Sequence, residues 1–185
     1  YTKVMIFLTR IFGIIKIDNN TFKQIEKDSS AKLQGLLVAF LTAIANALLA
    51  KKYFFTTMTL DVSILILIFM WLFLNWFVLS HIINFAGYKI FPEGKKASKH
   101  QNVLRLIGYS YAPELMKFLL LIYPKLLQVI SFGTFIWVIA CQVLSIKAVF
   151  NFRSIWKCLG IVIFSYVVQI FLVVLLIFTI HSFFS

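Results

Sequence analysis

The chain has 185 residues, of which 62% are hydrophobic and only 13% are charged, and its formal net charge is +12 at neutral pH. Soluble chains carry about 25% charged residues, so this composition excludes an ordinary soluble domain. Cys141 and Cys158 are the only two cysteines and form no CxxC pattern. They are therefore predicted to be small buried side chains.

The first segment, Lys3 to Ile17, is predicted to form an amphipathic helix. Lys3, Arg10 and Lys16 fall within one arc of its helical wheel, and apolar residues cover the other side. About 15 residues are too few to cross a bilayer, so we expect the helix to lie in the cytoplasmic interface, with those three cations at the membrane surface. The alternative is a helix packed on its own bundle.

A short, charged, water-facing helix is predicted next. Thr21 with Gln24 three residues later matches a capping box, and Lys23, Glu26 and Lys27 make the segment polar. Residues 1–32 are thus predicted to form a cytoplasmic region ahead of a single membrane domain, 33–185.

Five apolar segments fill that domain, and a span needs about 20 apolar residues. The sequence therefore predicts an all-α fold, a polytopic transmembrane bundle of five helices preceded by an amphipathic interfacial helix. The predicted spans are about 33–50, 62–86, 103–123, 126–146 and 158–184. Glycine and alanine in the first span permit close helix packing, and the short turn after the third makes the third and fourth an antiparallel hairpin.

Lysine and arginine occur mainly before the first span, between the second and third, and between the fourth and fifth. The positive-inside rule then places the N-terminus in the cytoplasm and the C-terminus on the opposite side. Topology explains the net charge, so we expect no nucleic-acid partner. High Ile, Phe, Lys and Asn are typical of an AT-rich genome and favour a bacterial inner membrane or a membrane of bacterial descent.

The third predicted span carries the main functional clue. It places Arg105, Pro113, Glu114 and Lys117 in an otherwise apolar segment. Proline removes a helical hydrogen bond, so the segment is expected either to kink near Ala112 or to break and restart at Pro113. A re-entrant course, which would leave four spans, stays open.

An intramembrane carboxylate is by default a functional-site hypothesis. Glu114 is therefore interpreted as a proton or cation contact, paired with Lys117 at i, i+3. The candidate intramembrane polar site consists of Tyr109, Ser110, Tyr111, Pro113, Glu114 and Lys117. The alternative is a structural ion pair that fixes helix packing.

His81, in the second span, is interpreted as a satisfied interfacial histidine, because His100 and His181 are predicted to lie in a loop and at the opposite end; the alternative is a proton relay or a ligand. The sequence shows no P-loop, GxGxxG, HExxH or GxSxG motif. We therefore predict no enzymatic activity and no catalytic, cofactor-binding or metal site.

Two pieces of the chain, FKQIEKD from Phe22 to Asp28 and RLIGYSYAP from Arg105 to Pro113, together with the basic start and weak first span, resemble bacterial members of the Yip domain family. That family is named for Rab-GTPase-interacting proteins of eukaryotes. The resemblance implies a five-span helical fold with a cytoplasmic N-terminus and supplies no enzyme. Eukaryotic members resemble adaptors that bind small GTPases and use a long cytoplasmic N-terminal region with an acidic motif. The segment before Leu33 is short and basic, so GTPase binding is not expected.

The expected function is that of a non-enzymatic integral membrane protein, a scaffold, assembly factor or accessory subunit that acts through helix contacts. Its expected partners are the lipid bilayer and a membrane protein or a second copy of the chain. The alternative is a small transporter, ion pathway or lipid-handling protein centred on Pro113 and Glu114.

Overall fold

The computed structural model describes residues 2–54, 62–91 and 100–184. Within them the chain forms seven α-helices and no β-strand. The α-helices are α1 (Thr2–Ile15), α2 (Asn19–Lys27), α3 (Ala31–Phe54), α4 (Val62–Phe85), α5 (His100–Ser110), α6 (Leu127–Phe150) and α7 (Ile155–Phe184). A π-helix, Ala86–Ile90, extends α4, and 3-10 helices at Ala112–Leu121 and Pro124–Leu126 lie between α5 and α6.

Four helical stretches of the described chain are long and apolar enough to cross a membrane. They are Ala31–Tyr53, Leu65–Ile90, Leu127–Phe150 and Ile155–Leu176. The predicted all-α class with several membrane-spanning helices is therefore confirmed. The predicted span at 103–123 is not among the four, because its helix is interrupted.

The helix breaks and restarts near Pro113, which is one of the two expected outcomes; the other was a kink near Ala112. α5 ends at Ser110, and the backbone then tightens into the Ala112–Leu121 3-10 helix, with Glu114 in its first turn. Proline fits near the start of a helix, where its missing N–H leaves no bond unmade. Ten residues is long for a 3-10 helix, whose side chains eclipse one another, so neighbouring helices must stabilise it.

α5 and this 3-10 helix run beside α3 in the same direction. At one end Gly35 of α3 packs against the backbone of Arg105 and Gly108. At the other end the Lys52 ammonium donates to the Leu121 carbonyl over 2.6 Å. Because the contacts advance together along both segments, the interrupted segment follows α3 over nearly its whole length.

α2 begins with a cap that differs from the predicted one. The Asp18 carboxylate accepts hydrogen bonds from the backbone N–H groups of Asn20 and Thr21, each at 3.2 Å. The Thr21 hydroxyl also donates to Asp18, over 2.7 Å. The predicted capping box of Thr21 and Gln24 is wrong, because Asp18 is the N-cap residue.

α1 packs one face on the bundle and leaves the other exposed. The Trp137 indole donates to the Ile15 carbonyl over 3.0 Å, and Ile14 is fully buried. The exposed apolar residues of α1 are Val4, Met5, Ile6, Leu8 and Phe12. The predicted helix is confirmed. Its buried face packs on the bundle, while its exposed apolar face is available for the expected contact with the membrane interface.

Most of the described cationic residues lie at one end of the bundle, here called the basic end. α3 and α5 begin there, α4 and α6 end there, and Asn102 of α5 donates to Glu26 of α2 over 2.9 Å. Lys16, Lys23, Lys27, Lys32, Lys89, Lys147, Arg153 and Lys157 lie at this end. Lys51, Lys52 and Lys125 lie at the opposite end, while Lys95, Lys96 and Lys99 fall outside the described residues.

α3 and α5 approach each other closely at Gly35 and Gly108. A Cβ atom added to Gly108 would lie 2.5 Å from the carbonyl oxygen of Gly35, and one added to Gly35 would lie 2.6 Å from that of Arg105. Such distances are shorter than any van der Waals contact, so both positions require glycine. Gly133, by contrast, has nothing within 4 Å of an added Cβ.

We expect Gly108→Ala to lower the free energy of unfolding by about 1–3 kcal/mol, because the added methyl group pushes α3 and α5 apart. Thermal unfolding of the detergent-solubilised protein measures the change. Gly133→Ala is the matched control and should leave the melting temperature equal or slightly higher, since alanine favours a helix. Equal melting temperatures for Gly108→Ala and the unchanged chain would contradict the close approach.

Candidate functional site

Near the basic end, the buried Arg105 side chain binds the C-terminal end of α2. One guanidinium nitrogen, Nη1, donates to the carbonyl oxygens of Ile25, Glu26 and Asp28 at 3.3, 3.0 and 2.7 Å. They lie at the C-terminal end of α2, the negative pole of the helix, and the Asp28 carbonyl also accepts from the Ala31 N–H over 3.2 Å. Arg105 is 5% exposed, so this contact offsets the cost of burying its charge.

Asp28 and Gln34 extend the contact to α1 and α3. The Arg10 guanidinium forms an ion pair with the Asp28 carboxylate and donates to Gln34 Oε1 over 2.7 Å. The Tyr109 hydroxyl donates to the same Gln34 oxygen over 2.6 Å. Arg10, Asp28, Gln34, Arg105 and Tyr109 together form what we call the Arg105 cluster, which joins α1, α2, α3 and α5.

The acidic member of this cluster is held in its charged form. Hydrogen bonding from Arg10, followed by that from Ser30, lowers the pKa of Asp28 to about 2. At the other end of α2, hydrogen bonds from Thr21 and Asn20 lower the pKa of Asp18. Both carboxylates therefore stay ionised near neutral pH.

Glu114 and Lys117 form a closed triangle with Asn46 of α3. The Lys117 ammonium donates to Glu114 Oε1 and to Asn46 Oδ1, each over 3.0 Å, and the Asn46 amide donates to Glu114 Oε2 over 2.8 Å. The Lys117 and Glu114 side chains are 12% and 15% exposed. Each member of the triangle binds both others, which lowers the cost of placing two charges inside the bundle.

The far end of the 3-10 helix is bound to α3 as well. Tyr53 donates its hydroxyl to the Leu120 carbonyl over 3.1 Å, next to the Lys52 contact with Leu121. These bonds satisfy carbonyl groups that a helix end leaves without partners. The triangle and the two end contacts supply the support that a long 3-10 helix needs.

One cavity lies beside the triangle, and a second cavity lies farther from it. The first, about 200 Å³, is lined by residues that include Asn46, Asn75, Trp76, Tyr111, Glu114 and Tyr166. The second, about 250 Å³, lies between α4 and α7 and shares Asn75 and Tyr166 with the first. Gln169 of α7 donates to the Asn75 side chain and, over 3.0 Å, to its backbone carbonyl, so polar contacts cross the bundle at this level.

The structure divides the six candidate site residues between the two regions. Tyr111 and Glu114 line the first cavity, and Lys117 binds Glu114. Tyr109 belongs to the Arg105 cluster, the Ser110 hydroxyl donates to the Ile107 carbonyl of its own helix over 2.7 Å, and Pro113 is buried at the start of the 3-10 helix. The six predicted residues therefore do not form one site: they are divided between the Arg105 cluster and the region of the triangle and the first cavity.

The membrane-surface residues are also divided. Lys16 is exposed, as expected for a headgroup contact. Arg10 differs, because it is 9% exposed and paired with Asp28, and the side chain of Lys3 falls outside the described residues. Arg10 therefore does not lie at the membrane surface as expected, because its guanidinium pairs with the nearby Asp28 carboxylate inside the protein.

Sequence reasoning missed three partners. Asn46 and Gln34 are amides of the first span, and their partners come about 70 residues later in the chain. His81 Nδ1 lies 2.9 Å from the Phe77 carbonyl oxygen, as expected for a satisfied histidine. Its ring also lies against that of His100, with centroids 4.1 Å apart, a contact that the sequence did not indicate. The one indication in the sequence was the presence of amide side chains in an apolar span, because buried amides need hydrogen-bond partners on other helices.

A family model, the Yip1 domain, matches residues 12–177. The chain belongs to the Yip1 domain family. No curated protein and no solved structure matches it. Proteins of the Yip1 family are not known enzymes, and among the described residues no group of three or more His, Cys, Asp or Glu side chains is arranged to hold a metal ion.

In this Yip1 domain the two sequence pieces that carry the family resemblance touch each other. Arg105 opens the RLIGYSYAP piece, and its guanidinium binds carbonyls of Ile25, Glu26 and Asp28 in the FKQIEKD piece. Gly108 of the same piece provides the close approach to α3. The resemblance therefore corresponds to one packing unit.

The Arg10–Asp28 pair should make the stability of the Yip1 domain depend on acidic pH. The pKa of Asp28 is lowered from 3.8 to about 2, so its contribution is present above about pH 4 and is lost as the pH falls toward 2. Since the Asp28 side chain is 36% exposed, solvent screening limits this contribution to about 1 kcal/mol.

Thermal unfolding in detergent between pH 7 and pH 2.5 tests this dependence. Asp28→Asn should melt lower than the unchanged chain at pH 7, and the difference should shrink as the pH falls below 4. Lys23→Gln, a change at an exposed residue of α2, serves as the control. A difference between Asp28→Asn and the unchanged chain that is constant with pH would contradict the role of the ion pair.

Proposed function

We propose that this Yip1-family chain is a non-enzymatic, five-span membrane protein that acts as a scaffold, assembly factor or accessory subunit through helix contacts. The observation that carries the proposal is that polar side chains in the apolar part of the bundle bind one another between helices. Asn46, Glu114 and Lys117 bind one another between α3 and the 3-10 helix, and Asn75 binds Gln169 between α4 and α7. Such pairs serve helix association.

The parallel course of α3 and the interrupted segment supports the fifth span. α3 has 24 residues and a length of about 36 Å. α5 and the Ala112–Leu121 3-10 helix together reach about the same length, and they contact α3 from Gly35 to Lys52. If α3 crosses the bilayer, the segment beside it crosses too.

Five crossings give the proposed orientation. The N-terminus and the basic end face the cytoplasm, because lysine and arginine are retained there, and the C-terminus lies on the opposite side. A bacterial inner membrane, or a membrane of bacterial descent, is the proposed location. α1, with its exposed apolar face next to Lys16, lies in the cytoplasmic headgroup region.

The proposed partner surface lies on α7. In the apolar stretches of α3 and α6, 44% and 39% of the residues are buried within the chain, whereas in those of α4 and α7 only 22% are buried. Phe171 and Phe178 of α7 are 64% and 74% exposed. Large aromatic side chains on a thinly covered helix favour packing against another membrane protein or a second copy of this chain.

Native mass spectrometry of the tagged protein, extracted from its own membranes in mild detergent, tests the scaffold proposal. We expect a stoichiometric second subunit, foreign or identical, that is lost when Phe171 and Phe178 are both changed to alanine. Phe132→Ala, on α6 and 68% exposed, is the matched control and should retain the subunit. A monomer without any bound subunit would contradict the proposal.

A second candidate function is a small transporter, ion pathway or lipid-handling protein centred on Pro113 and Glu114. It is favoured by one observation, that Glu114 lines the first cavity next to a break in helical geometry. Polar backbone at such a break can form a binding site within a membrane.

Proton flux into liposomes containing the purified chain distinguishes the two functions. If Glu114 transfers protons, Glu114→Gln should abolish flux while the protein stays folded, because an amide does not titrate. For a structural pair, Glu114→Gln should lower the melting temperature, and the Glu114→Gln, Lys117→Gln double variant should recover part of the loss by removing the unpaired charge. Unchanged flux in Glu114→Gln would contradict the transport function.

A further inference from the structure

A well-packed turn joins α6 to α7 at the basic end of the bundle. Phe150, the last residue of α6, stacks on Phe152 with ring centroids 5.5 Å apart, and Phe152 is 3% exposed. Asn151 lies between them in the left-handed conformation, with a φ of 54°, and ends α6. Because Phe152 is held in the core, Arg153 and the first turn of α7 keep a defined position.

The π-helix at the end of α4 lies beside this turn. Gly87 packs against the Phe150 ring, since a Cβ atom added to Gly87 would lie 2.5 Å from the Cζ atom of Phe150. The π-helix also contacts α7. The two segments therefore form one surface, which we call the Arg153 patch. Its exposed side chains are those of Tyr88, Lys89, Ile90, Arg153, Ile155 and Trp156.

The Arg153 patch combines cations with large apolar side chains. Lys89 and Arg153 are exposed, and neither 86–90 nor 151–157 contains an acidic residue. Trp156 is 79% exposed, and Tyr88 and Ile155 are 55% and 51% exposed. Aromatic side chains beside lysine and arginine are typical of the boundary between lipid head groups and hydrocarbon, where the ring is partly buried and the charge meets phosphate.

The patch continues into the apolar surface of α7. Trp156, Ile163 and Val167 lie on one face of the helix at i, i+7 and i+11, and Ile163 and Val167 are 56% and 60% exposed. In the apolar stretches of α4 and α7 only 22% of the residues are buried within the chain, so lipid reaches both helices. A molecule on the patch therefore meets positive charge at one end and an apolar surface at the other.

We propose that the Arg153 patch binds the head group of an anionic phospholipid, with Lys89 and Arg153 attracting the phosphate and Trp156 packing beneath it. Basic pockets between membrane helices bind anionic head groups by the same attraction. A phosphatidylcholine head carries its own ammonium group beside the phosphate, so two protein cations attract it less. The site needs no second subunit and is therefore independent of the protein partner proposed for α7.

Native mass spectrometry of the delipidated full chain in detergent, titrated with phosphatidylglycerol or with phosphatidylcholine of the same acyl chains, tests the site. We expect the first phosphatidylglycerol to bind about tenfold more tightly than the first phosphatidylcholine. The Lys89→Gln, Arg153→Gln double variant should bind phosphatidylglycerol about tenfold more weakly. The Lys51→Gln, Lys125→Gln double variant removes the same charge from exposed residues at the opposite end and should bind as the unchanged chain does.

Amide hydrogen exchange then locates the bound lipid on the unchanged chain. Phosphatidylglycerol should slow exchange in residues 151–157, whereas phosphatidylcholine should not. Both double variants should melt at the temperature of the unchanged chain, because the changed side chains are exposed. Equal binding of the two phospholipids, equal losses in the two double variants, or exchange in residues 151–157 that phosphatidylglycerol leaves unchanged would overturn the proposal.

Discussion

The fold depends on one buried cation, Arg105. A guanidinium removed from water is costly unless its hydrogen bonds and charge are compensated, and here the compensation comes from the C-terminal carbonyls of α2. α2 cannot leave the bundle without exposing that cost, and α1 follows α2 through the Arg10–Asp28 pair. α1 and α2 are therefore packed against the other helices of the bundle by these polar contacts.

Arg105 also lies where α5 packs against α3, and this packing places the 3-10 helix beside the remainder of α3. Gly35 and Gly108 allow the two backbones to touch at the level of Arg105, which starts the two segments in register. Asn46 then meets Glu114, and Lys52 meets Leu121. The 3-10 helix persists for ten residues because α3 binds its polar groups at the start and at the end.

The sequence predicted what depends on local chemistry. Apolar length predicted the helices, and Pro113 predicted the interruption, because proline acts on its own backbone. The Glu114–Lys117 pair followed from i, i+3 spacing. Asn46, Gln34 and the contact of His81 with His100 could not be predicted, since they join helices distant in the chain. Asp18 was missed as the cap of α2 because Thr21 offered an equally good local pattern, and only the observed start of the helix decides between them.

The polar contacts are distributed unevenly, and this distribution bears on function. The Arg105 cluster and the Glu114 triangle connect α1, α2, α3, α5 and the 3-10 helix through hydrogen bonds and ion pairs. α4 and α7 are joined by Asn75 and Gln169, and only 22% of the residues in their apolar stretches are buried within the chain. Rearrangement costs least where the fewest contacts must break. A subunit packing on Phe171 would therefore act first on α7, while the helices joined by the Arg105 cluster and by the Glu114 triangle keep their geometry.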